Sequence, residues 1–82
     1  MKTQKKIKLT SIMDVKEFVT VASDCDFDIN IFYNRVVIDA KSILGVLSLD
    51  LSKALTVEYE GYDRALEEIL DAKDAAKITA VA

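Results

Sequence analysis

Few residues of this chain have side chains that could carry out bond-making chemistry. Its 82 residues include no His and a single Cys, Cys25. His-dependent catalytic pairs and His-ligated metals are therefore excluded, as are an internal disulfide and any Cys-rich zinc site. Cys25 lies between Asp24 and Asp26. We expect these carboxylates to raise the pKa of its thiol and to blunt its nucleophilicity.

Ser42 is the strongest candidate for a functional residue. It precedes a short apolar run, Ile43 to Leu49, which we interpret as a short helix because Gly45 at its centre is unusual in a strand. A hydroxyl at a helix N-terminus is a favourable place for a phosphate, and Lys41 is its neighbour in the chain. The plainer interpretation is a helix cap that contributes about 1 kcal/mol, and a cap and a phosphate acceptor can be the same residue.

The short helix also predicts an exposed apolar surface, since so short a helix cannot bury all its faces against a sheet. Leu44 and Leu47 are expected to be exposed, whereas Val46 and Leu49 are expected to pack inward. Exposed apolar clusters commonly mark protein-binding surfaces. The predicted partner-binding surface consists of Lys41, Ile43, Leu44 and Leu47.

The remaining polar residues favour ordinary structural roles. Ser11 begins a capping-box-like start of a helix, with Asp14 three positions later. Ser11 has no evident activating base, and Asp14 would repel an incoming phosphoryl group, so we interpret Ser11 as a cap. Spread around the last helix are five carboxylates that predict a solvated face rather than a metal site: Asp63, Glu67, Glu68, Asp71 and Asp74. No metal or cofactor is predicted.

The charge balance argues against a nucleic-acid partner. The chain has 11 Lys and Arg against 14 Asp and Glu, a net charge of −3, whereas binding many phosphates needs a basic surface. No apolar stretch approaches the roughly 18 residues of a membrane span, and no apolar segment typical of a signal peptide follows the N-terminus. A free Cys suits a reducing compartment. We therefore expect a cytoplasmic protein that does not bind membranes and is a monomer or weak homodimer.

Hydrophobic periodicity predicts alternating strands and helices. Alternation favours strands at 6–9, 27–32, 36–38 and 54–60, with Asn34 as the pivot of a hairpin turn. Helical spacing predicts a first helix after Ser11 and a last helix after Gly61. The expected apolar face of the first helix is Ile12, Val15, Phe18, Val19 and Ala22. That of the last is Tyr62, Leu66, Ile69 and Leu70, and the tail from Ile78 to Ala82 either extends this helix or frays.

This element order, β-α-β-β-α-β-α, predicts one α+β domain over residues 1–82. Right-handed crossovers allow the last strand to insert between the first two, which gives a four-stranded antiparallel sheet of order 1-4-2-3 with helices on one face. In this open-faced sandwich, Lys6 and Lys8 are expected to face Glu58 and Glu60 across the sheet, with a small gain in stability for each opposite-charge pair.

The segment Asp39-Ala40-Lys41-Ser42-Ile43-Leu44-Gly45-Val46-Leu47-Ser48-Leu49 resembles the regulatory segment of HPr. HPr is the histidine-containing phosphocarrier protein of the bacterial phosphoenolpyruvate-dependent sugar phosphotransferase system. The resemblance runs from about Lys6 to Leu70. It implies the same open-faced sandwich. It also implies that Ser42 matches a serine phosphorylated by a dedicated ATP-dependent kinase, and that the short helix matches a patch that docks partner proteins.

The chain departs from this family at the phosphorylated His. The family carries that His just before the first helix, in a pattern near Gly-(Leu/Ile)-His-Ala-Arg-Pro. Here Leu9 and Thr10 run directly into a degenerate active-site position formed by Ser11, Ile12, Met13 and Asp14. Histidine phosphotransfer is therefore not inherited with the resemblance.

These observations favour a regulatory, protein-binding module rather than an enzyme. Its expected partners are proteins such as HPr kinase or other components and regulators of the phosphotransferase system, with Ser42 as a phosphorylation site. Two alternatives stay open. One is a phosphoryl carrier that uses a residue other than His, and the other is an HPr-like domain recruited to an unrelated protein interaction.

Overall fold

The computed structural model describes residues 2–79. Within them the elements are β1 (Thr3–Ile7), α1 (Ile12–Ser23), β2 (Ile29–Tyr33), β3 (Val36–Asp39), α2 (Ile43–Leu47), β4 (Leu55–Tyr59), α3 (Arg64–Ala72) and α4 (Ala75–Thr79). The predicted order is confirmed, and α4 is an additional short helix. The tail predicted from Ile78 to Ala82 begins within α4, and its last three residues, 80–82, lie outside the described part of the chain. No helix in residues 2–79 combines the length and apolar character needed to cross a membrane.

The four strands form one antiparallel sheet in the order β1-β4-β2-β3, as predicted. β4 lies between β1 and β2, and Val57 is opposite both Lys5 and Ile31. The hairpin between β2 and β3 turns at Asn34, which has a φ of 56°. Asn tolerates this left-handed conformation better than most other residues, so the predicted pivot is confirmed.

The core lies between the sheet and the helices. Strand alternation directs the fully buried residues of three strands to the same side: Ile7, Ile29, Ile31, Leu55 and Val57. Helical spacing directs the matching side chains of α1 toward them, and four of the five predicted α1 residues are buried: Val15, Phe18, Val19 and Ala22. α3 adds Leu66 and Leu70, which are also buried.

Two predicted core residues are exposed instead. Ile12 is the first residue of α1 and is 61% exposed, because the apolar face leaves the core at the first turn of the helix. Tyr62 is 74% exposed because α3 begins only at Arg64, after the N-cap Asp63, so helical spacing does not apply to it. Periodicity identifies the buried face of a helix but not the point at which the helix or the core ends.

The predicted pairing of lysines with glutamates across the sheet is wrong in register. Lys6 lies opposite Thr56, and Gln4 lies opposite Glu58. The Lys8 ammonium donates to the carbonyl of Ser52. A strand can slip by an even number of residues without moving any side chain to the other face, so alternation alone did not determine this register.

Two other lysines near the N-terminus, Lys2 and Lys5, have acidic partners. Lys2 lies 3.7 Å from a carboxylate oxygen of Glu58. Lys5 is on the helix-facing side of β1, and its ammonium donates to Glu67 of α3 at 2.6 Å. The buried Tyr59 donates its hydroxyl hydrogen to the same carboxylate. Glu67 therefore joins two strands of the sheet to α3.

Gly45 allows α2 to approach the sheet closely. A Cβ atom at this position would lie 2.5 Å from Cγ2 of Ile38 on β3. A side chain there would force the helix away from the strand. Gly45 therefore determines the distance between α2 and the sheet.

Candidate functional site

The turn between β3 and α2 holds Ser42 at the start of the helix. The Ser42 hydroxyl oxygen accepts a hydrogen bond from the backbone N–H of Gly45 at 3.1 Å. The Ser42 backbone N–H donates to the carbonyl of Asp39 at 3.0 Å, and a carboxylate oxygen of Asp39 accepts from the backbone N–H of Lys41 at 2.9 Å. Ser42 is the N-cap of α2, and it is exposed to solvent.

Lys41 is partly buried, and its ammonium contacts a different part of the fold. Its Nζ donates to the backbone carbonyl of Cys25 at 2.8 Å, just after α1. The charge of Lys41 thus stabilises the contact between the α2 turn and the end of α1. Its membership of a partner-binding surface stays a prediction.

The apolar side chains of α2 divide between the core and the surface. Leu44 is 78% exposed, and Ile43 and Leu47 are also exposed, while Val46 and Leu49 are buried. The predicted exposure of Leu44 and Leu47 and the predicted burial of Val46 and Leu49 are therefore confirmed. We call the exposed set of Ser42, Ile43, Leu44 and Leu47 the α2 surface.

The four residues predicted to form a degenerate active-site position, Ser11 to Asp14, lie at the start of the neighbouring helix, α1, which packs against α2. The Ser11 hydroxyl accepts a hydrogen bond from the backbone N–H of Asp14 at 3.2 Å and so caps α1. Ile12 and Met13 are exposed. One Asp14 carboxylate oxygen accepts from both the backbone N–H and the hydroxyl of Thr10, at 2.9 and 2.8 Å.

The other Asp14 oxygen binds Lys73, a contact that the sequence did not indicate. The Lys73 ammonium donates to it at 2.7 Å, with Glu17 as a second partner at 3.4 Å. The bond from Lys73, followed by the bonds from Thr10, lowers the pKa of Asp14 to about 2. The same bond raises the pKa of Lys73. Asp14 is therefore charged at neutral pH, and an internal anion stands at the N-terminal end of α1.

The remaining sequence candidates offer little chemistry. Burial is the main cause that raises the pKa of the Cys25 thiol, followed by Asp63. The flanking Asp24 and Asp26 contribute less. The thiol pKa is raised, as predicted, but burial contributes more to this than the two flanking carboxylates that were predicted as the cause. Among the described residues, no group of three or more acidic, Cys or His side chains could hold a metal ion.

The sequence of this chain matches a known protein family. A family model described as the PTS HPr component phosphorylation site matches residues 14–75, which is most of the chain. The chain belongs to the HPr family. The match includes Ser42 and the whole of α2, and it begins at Asp14. The other three residues of the predicted degenerate position, 11–13, precede the match.

HPr-family proteins are phosphocarriers related to the phosphotransferase system rather than enzymes, and they act by contacting other proteins of that system. The fold found here, with its 1-4-2-3 sheet, is the fold that the HPr resemblance implied. This HPr-family chain nevertheless contains no His. What remains of the expected functional surfaces is therefore α2 and the first turn of α1.

Proposed function

We propose that this HPr-family protein is a regulatory, protein-binding component of the phosphotransferase system. It is phosphorylated on Ser42 and contacts its partners through the α2 surface. The observation that carries the proposal is the exposed Ser42 at the start of the short helix that also exposes Leu44, in a chain without His.

The contacts of Ser42 are compatible with modification. Its hydroxyl oxygen makes a local contact with the backbone of its own helix, at Gly45. Adding a phosphate there disturbs no core packing, because Ser42 is exposed. The new negative charge lies at the N-terminal end of the helix that carries Leu44, so the modification changes the electrostatics of the α2 surface.

Leu44 supports the docking part of the proposal. A leucine that is 78% exposed keeps a large apolar area in contact with water. Covering such a side chain in a partner's pocket contributes up to about 2–3 kcal/mol. Ile43 and Leu47 lie on the same short helix and widen the apolar area.

The first turn of α1 supports a loss of the carrier role. The Asp14 carboxylate already occupies the hydrogen-bond donors of Thr10 and Lys73. A phosphoryl group approaching Ser11 would meet this charge at close range. A carrier role through Ser11 receives no support from this arrangement.

Calorimetric titration with HPr kinase tests the docking part. We expect Leu44→Glu to weaken binding at least tenfold, since removal of an apolar anchor at an interface commonly costs more than about 1.4 kcal/mol. Tyr62→Glu is the matched control, because it places the same charge at an equally exposed position outside α2. Equal binding by the wild type and Leu44→Glu would contradict the proposed docking surface.

A further inference from the structure

The strand β3 forms one edge of the sheet and is apolar along most of its length. Its sequence is Val36-Val37-Ile38-Asp39. Val36 is 52% exposed and Val37 is 60% exposed. Proteins usually protect sheet edges with Lys, Pro or a bulge, and β3 carries neither of these residue types.

The hydrogen-bond pattern shows which backbone groups of β3 face away from the sheet. The N–H of Ala40 donates to the carbonyl of Ile29 at 2.9 Å. Pairs of an antiparallel ladder alternate between bonded and non-bonded, so Ile38 and Val36 also bond to β2. The N–H and C=O of Val37 therefore point outward from the free edge.

The side chain of Val37 lies on the face of the sheet away from the helices, directly across from Phe32. Farther from this edge, the same cross-strand row continues with Thr56 and Lys6. The next row on this face is polar throughout and consists of Gln4, Glu58, Asn30 and Asp39. The apolar part of the row thus ends at the exposed edge of β3.

Charged residues flank Val37 at equal distances along the chain. Arg35 precedes it by two residues and Asp39 follows it by two, and both are exposed. An antiparallel copy of β3 placed with Val37 opposite Val37 would bring each Arg35 opposite Asp39 of the second copy. Opposite charges facing one another across strands stabilise the pairing.

We propose that β3 is a self-association edge, through which two copies of this chain pair antiparallel about a two-fold axis at Val37. The two sheets then join into one of eight strands. The outward N–H and C=O of the two Val37 residues bond to each other. The row Phe32-Val37 continues into Val37-Phe32 of the second copy. This inference does not depend on the proposed function, because it uses a different surface.

The predicted association is weak, because β3 has four residues and the interface is correspondingly small. Sedimentation velocity over about 10 µM to 1 mM covers the affinities expected for small interfaces. We expect the wild type to shift from monomer toward dimer as concentration rises. Val37→Lys should stay monomeric over this range, whereas Met13→Lys, at a similarly exposed position on α1, should behave like the wild type. A wild type that is monomeric throughout, or a Val37→Lys dimer, would overturn the proposal.

Disulfide trapping tests the register and does not rely on a charged substitution. In the proposed pairing the two Cα atoms at position 37 lie about 5.5 Å apart, within the range of a disulfide. Those at position 36 are offset by two residues and lie about 8 Å apart, beyond that range. Val37→Cys should form a covalent dimer under mild oxidation. Val36→Cys and the wild type, whose Cys25 is buried, should not. Equal trapping at both positions would reject the register.

Discussion

The ion pair between Asp14 and Lys73 predicts a large effect of a small substitution. Replacing Asp14 by Asn keeps the size of the side chain but removes its charge. Lys73 then loses its closest acidic partner, which lies 2.7 Å away. Because this pair connects the first turn of α1 to the end of α3, we expect the whole domain to lose stability.

The size of the effect follows from the pKa of Asp14. The folded protein lowers this pKa from 3.8 to about 2, chiefly through the hydrogen bond from Lys73. Each pKa unit corresponds to about 1.4 kcal/mol, so the charged form contributes about 2 kcal/mol to the free energy of unfolding. Solvent screening reduces this value little, since the Asp14 and Lys73 side chains are only 17% and 16% exposed.

The same shift determines how the effect depends on pH. A carboxylate whose pKa is lower in the folded state stabilises the fold fully above its unfolded pKa, here 3.8. This contribution is lost as the pH falls toward about 2. The difference between wild type and Asp14→Asn should therefore be largest at pH 5–7 and should shrink across the range from about 4 to about 2.

Urea unfolding followed by circular dichroism at several pH values measures this difference. Glu17→Gln is the matched control, since Glu17 is the more distant and more exposed partner of Lys73. It should cost less than about 0.5 kcal/mol, the usual range for surface changes. If Asp14→Asn also costs less than about 0.5 kcal/mol at pH 7, or if its cost is the same at pH 3, the ion pair is not the stabilising contact we describe.

Three further substitutions test the packing that positions α2 and α3. Gly45→Ala should destabilise the fold by about 1–3 kcal/mol through its contact with Ile38, despite the higher helix propensity of Ala; a gain in melting temperature would contradict this. Gly61→Ala should lower the free energy of unfolding by at least as much, because Gly61 has a φ of 153° and a Cβ would lie 2.6 Å from the Phe27 ring. Chemical denaturation at neutral pH measures this loss, and an unchanged midpoint would contradict it. Tyr59→Phe removes a hydrogen bond to a carboxylate and should cost about 1–3 kcal/mol. Burial raises the pKa of Tyr59 above its usual value of 10, so a spectroscopic pH titration should show that this phenol keeps its proton at pH values where a free tyrosine has lost it.

The parts of the fold that local patterns determine could be predicted from the sequence. Alternation, the order of elements and the preference for right-handed crossovers together predicted the 1-4-2-3 sheet, which is present. The turn at Asn34 and the cap at Ser42 follow from the conformational preferences of single residues, and both are present. The exposure of Leu44 was expected because so short a helix cannot bury all its faces against the sheet, and Val46 is buried as expected.

Features that depend on distant residues could not be predicted in this way. Asp14 and Lys73 are separated by 59 residues, and no local pattern indicates that they meet. The register of β1 against β4 was wrong because period-two alternation is unchanged by an even slip. Of the candidate site, the sequence therefore predicted Ser42 and its helix but not the Lys73 contact that holds Asp14 in its charged form.

Measuring phosphate incorporation tests the central claim most directly. The purified protein is incubated with ATP and HPr kinase, and its intact mass is read beside those of Ser42→Ala, Ser42→Asn and Ser48→Ala. Asn can still cap α2 but offers no hydroxyl, and Ser48 is an exposed serine at the other end of the same helix. We predict one added phosphate on the wild type and on Ser48→Ala, and none on either Ser42 variant. An unmodified wild type beside a His-containing HPr that is modified in the same tube, or a phosphate that persists in Ser42→Ala, would contradict the proposed regulation.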